Sequence, residues 1–266
     1  MDGISSIQTA PGVTSHDVVA KLRGICGQKK IGHTGTLDPA ATGVLPVCLG
    51  SGTRLCDMLT DTDKEYVAEL LLGVETDTQD TTGRVLAARE VNVSQEELRA
   101  AVFSFAGDYG QVPPMYSALK VNGKKLYELA REGKEVERKA RQVKIHEIEI
   151  LDCSLPVVRL RVACSKGTYI RTLCADIGAR LGCGGTMQSL RRTAAGRFRL
   201  EDAVTLERVQ EKKDQGRLKE LILPVDLVFE NCPSLHVLGE GRNRLNNGNS
   251  ILPEQTAEGP VHKPGE

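Results

Sequence analysis

A formally neutral chain of 266 residues, 40% of them hydrophobic, has room for a buried core in one large domain or in one domain with a small appendage. No stretch nears the roughly 20 apolar residues of a membrane span, and Met1 to Ala10 lacks the basic-then-apolar order of a secretory signal, so a cytoplasmic location is expected. Zero net charge argues against a nucleic-acid binder, yet residues 138–199 hold 13 Lys and Arg against 4 Asp and Glu, and residues 61–80 hold 7 Asp and Glu against 1 Lys.

That segregation has two readings: a basic face on a neutral protein, or two solvated surfaces. The eight cysteines are scattered with no C-x-x-C pair, which suggests neither a zinc site nor a redox motif. Several sit in apolar runs such as Val47-Cys48-Leu49, where a thiol serves as a small hydrophobe. Trp is absent and aromatics total 3%, so a nucleobase site would depend on one of very few rings.

Pro11-Gly12 reads as a turn, after which Thr14-Ser15 caps a helix over Ser15 to Ile25. Residues 28–52, with five glycines and two prolines, read as a structured loop, followed by a short helix around Thr53 to Leu59. Lys64 to Gly73 alternates and then turns apolar, as a half-buried strand does, with Arg84 to Val91 as its hairpin partner. Ser94-Gln95-Glu96-Glu97 is a capping box that opens a helix to about Phe105. Residues 107–123 read as a loop holding Pro113-Pro114, and Lys124 to Arg131 as a helix ended by Gly133. Val143–Leu151 and Val157–Cys164 alternate as paired strands, Tyr169 to Leu181 is helical, Arg197–Leu200 is a short strand and 205–212 a helix. The last 35 or so residues, rich in Gly, Asn, Pro and Glu, are expected to be loosely ordered.

Strands and helices intermingle without a regular β-α-β period. That predicts a mixed α/β (α+β) fold with a largely antiparallel sheet. Neither the dinucleotide fingerprint nor the phosphate-binding loop is present, so NTP and dinucleotide chemistry lose their usual signal.

The informative stretch is Gly32-His33-Thr34-Gly35-Thr36-Leu37-Asp38-Pro39, continuing to Ala41-Thr42-Gly43-Val44-Leu45-Pro46. One carboxylate sits in a glycine-rich, uncharged segment, and Pro39 disfavours helix at Asp38. No neighbouring carboxylate accompanies it, so a glycosidase-type pair is not visible, and one Asp with one His is too few for a metal. From the residues alone Asp38 is either a turn residue bonded to local backbone, the commoner case, or a nucleophile or general base.

The block Gly32 to Gly50 resembles the catalytic signature of the TruB family of tRNA pseudouridine synthases, nearly residue for residue. Further blocks resemble that family in the same order. They are Lys64-Glu65-Tyr66, then Thr76 to Gly83, then Pro113 to Gly123 (an insertion of bacterial members), then Ser165 to Leu173, then Ser189-Leu190-Arg191-Arg192-Thr193. The resemblance covers about residues 11 to 230. It implies a pseudouridine-synthase sheet flanked by helices over residues 1–222, with the insertion around 107–141. Residues 223–266 would then be a shortened or degenerate PUA-like segment.

What the resemblance implies for function is isomerisation of uridine to pseudouridine at position 55 in the tRNA T loop, without cofactor or metal. Asp38 would be the catalytic carboxylate, attacking the anomeric carbon or the base, or removing a ribose proton. Arg171 would be its partner, Tyr66 the ring that stacks on a flipped uracil, Tyr169 a second active-site tyrosine and Leu190 an apolar wall. His33 would pack against RNA or fill the vacated base position, and Lys64 would touch phosphate. In the basic segment Arg191, Arg192, Arg197 and Arg199 are the candidates for backbone contacts that offset base flipping. The implied partner is the tRNA T stem-loop, bound by a monomer with no guide RNA and no membrane. A non-catalytic RNA-folding factor on the same scaffold and a small-molecule carboxylate hydrolase are the competing readings; the Asp38–Arg171 set counts against the first, and the basic segment and missing second carboxylate against the second. One departure concerns Thr9-Ala10, which stand where the family carries Lys-Pro; the loss is expected to loosen the strand behind the site.

Overall fold

The computed structural model describes residues 1–230 and 232–257. In chain order, β1 (Gly3–Thr9) leads to α1 (Ser15–Cys26), β2 (Ile31–His33), β3 (Thr42–Leu49) and α2 (Cys56–Thr60). Next come β4 (Lys64–Leu72), the hairpin β5 (Val74–Thr76) and β6 (Val85–Ala88), α3 (Gln95–Phe103), β7 (Gly107–Gln111), the small hairpin β8 (Lys120–Val121) and β9 (Lys124–Lys125), and α4 (Leu126–Arg131). The second half runs through β10 (Arg141–Ser154), β11 (Val157–Cys164), α5 (Ile170–Arg180), β12 (Gly185–Ala195), β13 (Phe198–Arg199), α6 (Leu206–Asp214) and α7 (Gly239–Asn246).

Nine strands make one sheet in the order β1-β3-β12-β4-β11-β10-β7, with β2 added to β3 and β13 to β12. Only β12 on β3 is parallel. The expected mixed fold with a largely antiparallel sheet is therefore the fold observed. Its buried face follows from period-2 alternation: Ala68, Leu70 and Leu72 on β4, and Val158, Leu160, Val162 and Cys164 on β11, all turn inward. Ile170, Leu173, Cys174 and Ile177 of α5 cover them. Val18, Val19 and Leu22 of α1 and Leu98 and Val102 of α3 extend the same core. Both predicted N-caps form: Thr14 and Asp17 bond reciprocally, as do Ser94 and Glu97. Burial pushes the Cys48, Cys164 and Cys174 thiols up to about 12, which keeps them protonated packing groups.

Several expectations need correction. The stretch 28–52 is not only loop: it holds β2 and β3, and β3 lies near the centre of the first half of the sheet. The hairpin partner of β6 is the short β5, whereas β4 pairs with β11 and β12. Within the stretch read as the loop 107–123, β7 pairs with β10. At the end of β1, Thr9 stays in register with Gly43 and donates a hydrogen bond from Oγ1 to the Gly43 carbonyl at 3.1 Å.

The chain divides into two compact units, Met1–Pro224 and Val225–Glu266. In the second, α7 is followed by a bond from Arg244 Nε to the Ser250 carbonyl, and Val237 bridges Thr256. A stretch expected to be loose thus carries a helix; the polar end of it, residues 258–266, lies outside the described residues.

Candidate active site

The loop between β2 and β3 presents Asp38, and four backbone ties fasten it. Thr34 N–H donates to the Pro46 carbonyl, Leu37 N–H to Ser15 Oγ at 2.9 Å, Gly12 N–H to the Pro39 carbonyl, and Ala41 N–H to the Asp38 carbonyl. Ser15 is the first residue of α1 and is buried, and Leu37 plugs the core beside Asp38. Ser15→Ala should therefore leave the Leu37 N–H without a partner, at a cost of about 1–3 kcal/mol. Chemical denaturation is expected to register that loss, and a variant as stable as the parent would mean the loop is held by its other ties alone.

Arg171, on the first turn of α5, meets Asp38 with two donors: Nε to Oδ2 at 2.9 Å and Nη2 to Oδ1 at 3.1 Å. This fork-to-carboxylate geometry is available to Arg and not to Lys. The Arg171 side chain is 6% exposed and the Asp38 side chain 37%, so the carboxylate is gripped from within and open outward. The remaining Arg171 donors are also taken. Nη2 reaches the Tyr116 carbonyl at 2.8 Å and Nη1 the Thr78 carbonyl at 3.1 Å.

A second carboxylate, invisible as a neighbour in the sequence, stands behind: Asp80 Oδ2 is 3.7 Å from Arg171 Nη1. Its Oδ1 is occupied by the Thr78 hydroxyl and by the Thr82 N–H and hydroxyl. Gln79, between them, adopts φ +62, a left-handed conformation uncommon for a side-chain-bearing residue. Its side-chain oxygen accepts from Thr172 Oγ1 at 2.8 Å. The segment 76–83 therefore braces Arg171 from the side opposite Asp38, and its signal in the sequence was the motif Thr76 to Gly83.

Tyr169 caps α5 and is held through its backbone. The buried Gln111 amide donates to the Tyr169 carbonyl at 3.0 Å and accepts from its N–H at 2.8 Å. Gln111 had no sequence signal, since β7 was not recognised as a strand. Tyr66 lies on β4. Burial pushes both phenols up, and the charge of Asp38 adds to the rise at each. Leu190, buried on β12, faces Ala68 of β4 two residues from Tyr66. His33 ends β2 half-buried; burial lowers its pKa, a bond with Gly35 backbone opposes this, and nearby Arg192 adds to the lowering.

Two expectations fail on burial. Lys64 is not a phosphate contact at a strand end: it is buried, and its ammonium donates to the Thr60 and Thr62 carbonyls, closing the turn after α2. Desolvation, then Arg192, holds its pKa below the ordinary value. Arg192 is 1% exposed and turned into the protein, so it cannot belong to a solvent-facing basic row. Arg191, Arg197 and Arg199 are exposed. The two charge-segregated stretches lie side by side: Arg161 pairs with Glu65, Lys166 with Asp61, His146 with Asp63 and Arg171 with Asp80. Three cations of the basic stretch, Arg161, Lys166 and Arg171, are thereby paired with carboxylates of the acidic one.

No group of three or more His, Cys, Asp and Glu that could hold a metal ion occurs among the described residues, and no helix among them is long and apolar enough to cross a membrane. The arrangement offers a carboxylate gripped by Arg171, open outward, whose charge reaches two tyrosines. That suits attack on, or proton removal from, a planar substrate stacked there.

Residues 23–170 match the family model of the N-terminal domain of TruB family pseudouridylate synthases, and residues 171–230 that of the tRNA pseudouridylate synthase B C-terminal domain. The chain is 48% identical over 264 residues to the tRNA pseudouridine synthase B of Alkaliphilus oremlandii, covering 99% of this chain and 87% of that protein. It is 56% identical over 248 residues to that of Clostridium novyi, covering 93% and 84%. Among solved structures it superposes on a chain of a Cbf5-Nop10-Gar1 complex with a TM-score of 0.76 at 30% identity, over 96% of this chain and 70% of that one.

Proposed function

The chain belongs to the TruB family of pseudouridylate synthases, and from that premise we propose that it isomerises uridine to pseudouridine at position 55 in the tRNA T loop, with Asp38 as the reacting carboxylate. It is a tRNA pseudouridine synthase, an isomerase. The reaction detaches uracil from ribose, turns it and rejoins it through carbon 5. The atoms of the product are those of the substrate, so no redox partner is consumed.

The observation that carries the reading is the two-donor grip of Arg171 on Asp38. An adjacent guanidinium favours the ionised form of a carboxylate, and all three routes open to Asp38 need that form: attack at the anomeric carbon, attack on the base, or removal of a ribose proton. Tyr66 supplies a flat face for the uracil, Tyr169 closes the opposite side and Leu190 gives an apolar wall. Extracting a stacked uridine costs a few kcal/mol, which phosphate contacts from Arg191, Arg197 and Arg199 offset. A single chain reads the T loop by shape, without a guide RNA. Residues 1–222 carry the chemistry, and a PUA-like appendage begins at residue 223.

Incubation with an unmodified tRNA transcript and mapping of pseudouridine tests this. Product at uridine 55 alone is expected. Product at another uridine sinks the T-loop assignment, and tRNA bound without product sinks the assignment of Asp38. The phosphate contacts have their own test. Arg191→Ala with Arg199→Ala should flatten the slope of log K against log salt by about 1 to 2 units if both touch phosphate. The modified position should not change, because phosphate contacts position and do not specify. An unaltered slope with parental affinity would place the RNA elsewhere.

A further inference from the structure

Arg192 is the largest fully buried side chain among the described residues, and its surroundings belong to the site. On the sheet it stands directly opposite Tyr66, its cross-strand partner on β4, and its backbone pairs in parallel with Gly43 at the start of β3. Opposite residues on one face of a sheet hold their Cβ atoms about 4.5–5.5 Å apart and interact directly. Its Nε donates to the Val44 carbonyl at 2.8 Å. Its Nη1 lies 4.0 Å from where a Cβ on Gly35 would sit. Gly43, at φ +114, has Arg192 backbone 2.1 Å from the place of a missing Cβ, so only glycine permits that approach. Gly35 and Gly43-Val44 are the two ends of the loop that carries Asp38.

We propose that Arg192 is a positioning residue of the isomerisation: its buried guanidinium joins both ends of the Asp38 loop to Tyr66, and so fixes the spacing between carboxylate and stacking ring. The proposal rests on the assignment of Asp38 and Tyr66 as reacting group and platform. Burying a guanidinium costs several kcal/mol when its hydrogen bonds are incomplete, and Nη2 of Arg192 has no partner among the described residues. A residue serving only to fill the core would be met more cheaply by Leu or Met. Arg192 also acts on the Tyr66 phenol: burial pushes that phenol up, and the charge of the neighbouring Arg192 opposes the rise. The ring is therefore the cross-strand neighbour of the same guanidinium that bonds the start of β3. Reacting atoms must be placed to within fractions of an ångström, and small misplacements cost orders of magnitude in rate.

The test is a double-mutant cycle of Arg192→Lys and Tyr66→Phe, read by single-turnover rate at saturating tRNA transcript, tRNA affinity and salt slope. Arg192→Lys keeps a cation and loses the fork. It should slow the chemical step by about 10-fold or more, with affinity within about threefold and the salt slope unchanged. In the Tyr66→Phe background, where the hydroxyl is already gone, the same substitution should cost much less. Equal losses in both backgrounds overturn the link to Tyr66. A flattened salt slope and weakened binding with an intact rate would make Arg192 a phosphate contact. Tyr66→Phe alone keeps the proposal testable if Arg192→Lys does not fold: the stacking face remains, so a parental rate would show that the action of Arg192 on the phenol does nothing for turnover. Failure of the functional reading itself is separate, since it would appear as an unmodified transcript with the parental enzyme.

Discussion

Asp38→Asn is expected to abolish pseudouridine formation while tRNA is still bound with near-parental affinity. The change is close to isosteric, and the loop does not depend on the carboxylate for its shape. It is fastened by Thr34 to Pro46, Leu37 to Ser15, Pro39 to Gly12 and the backbone of Asp38 to Ala41. What the amide loses is negative charge and two acceptor oxygens for the Arg171 fork. An amide can neither attack carbon nor take a proton at neutral pH, so no residual route passes through it. Affinity should persist because the outward face of a single side chain is a small part of an RNA interface. The measurement is single-turnover pseudouridine formation on a tRNA transcript beside filter binding of the same RNA. Turnover at the parental rate would remove Asp38 from the chemistry.

Arg171→Lys carries the second-largest effect: turnover should fall by about 10- to 100-fold. The guanidinium serves two oxygens of Asp38 and the carbonyls of Thr78 and Tyr116, and it stands 3.7 Å from Asp80. These acceptors come from three separate stretches of chain, and one planar fork satisfies them together. An ammonium is a single point with three donors on a flexible stem and cannot reproduce that geometry. Losing one charge-assisted hydrogen bond is worth about 1.5–3 kcal/mol, which corresponds to the stated range in rate. The charge is retained, so Asp38 and Asp80 are not left without a cation beside them and the fold should survive. Circular dichroism and thermal melting beside single-turnover rates separate the two outcomes. A parental rate in a folded variant would make Arg171 a structural strut, with Asp38 positioned by its loop alone.

The amino-acid sequence by itself determined the family, singled out the loop proposed to bear the chemistry, and determined the local elements whose causes are local. Thr14 and Ser94 cap helices because their hydroxyls reach an N–H three residues on, and that reach is readable from four consecutive letters. The strands β10 and β11 were legible because they alternate and follow each other, so their partner is the next element along the chain. Asp38 stood out because an uncharged glycine-rich setting isolates one carboxylate.

What the tertiary structure alone decided was every pairing between distant stretches. β3 was hidden in a run of glycines and prolines and became a strand because β1, β2 and β12 close around it. Gln111 came to clamp Tyr169 only once β7 joined β10. Asp80 reached Arg171 across 91 residues of sequence, which no neighbour-based search for a second carboxylate would find. Arg192 is the sharpest case. In a run of basic residues it reads as surface, but on β12 the period of two places it on the face of Leu190 and Ala194, and burial follows. The acidic and basic stretches, distant along the chain, became neighbours in the sheet, where Arg161 meets Glu65. Local preference acts within a few residues, whereas register, burial and ion pairing depend on which strands meet, and that is a property of the whole packed sheet.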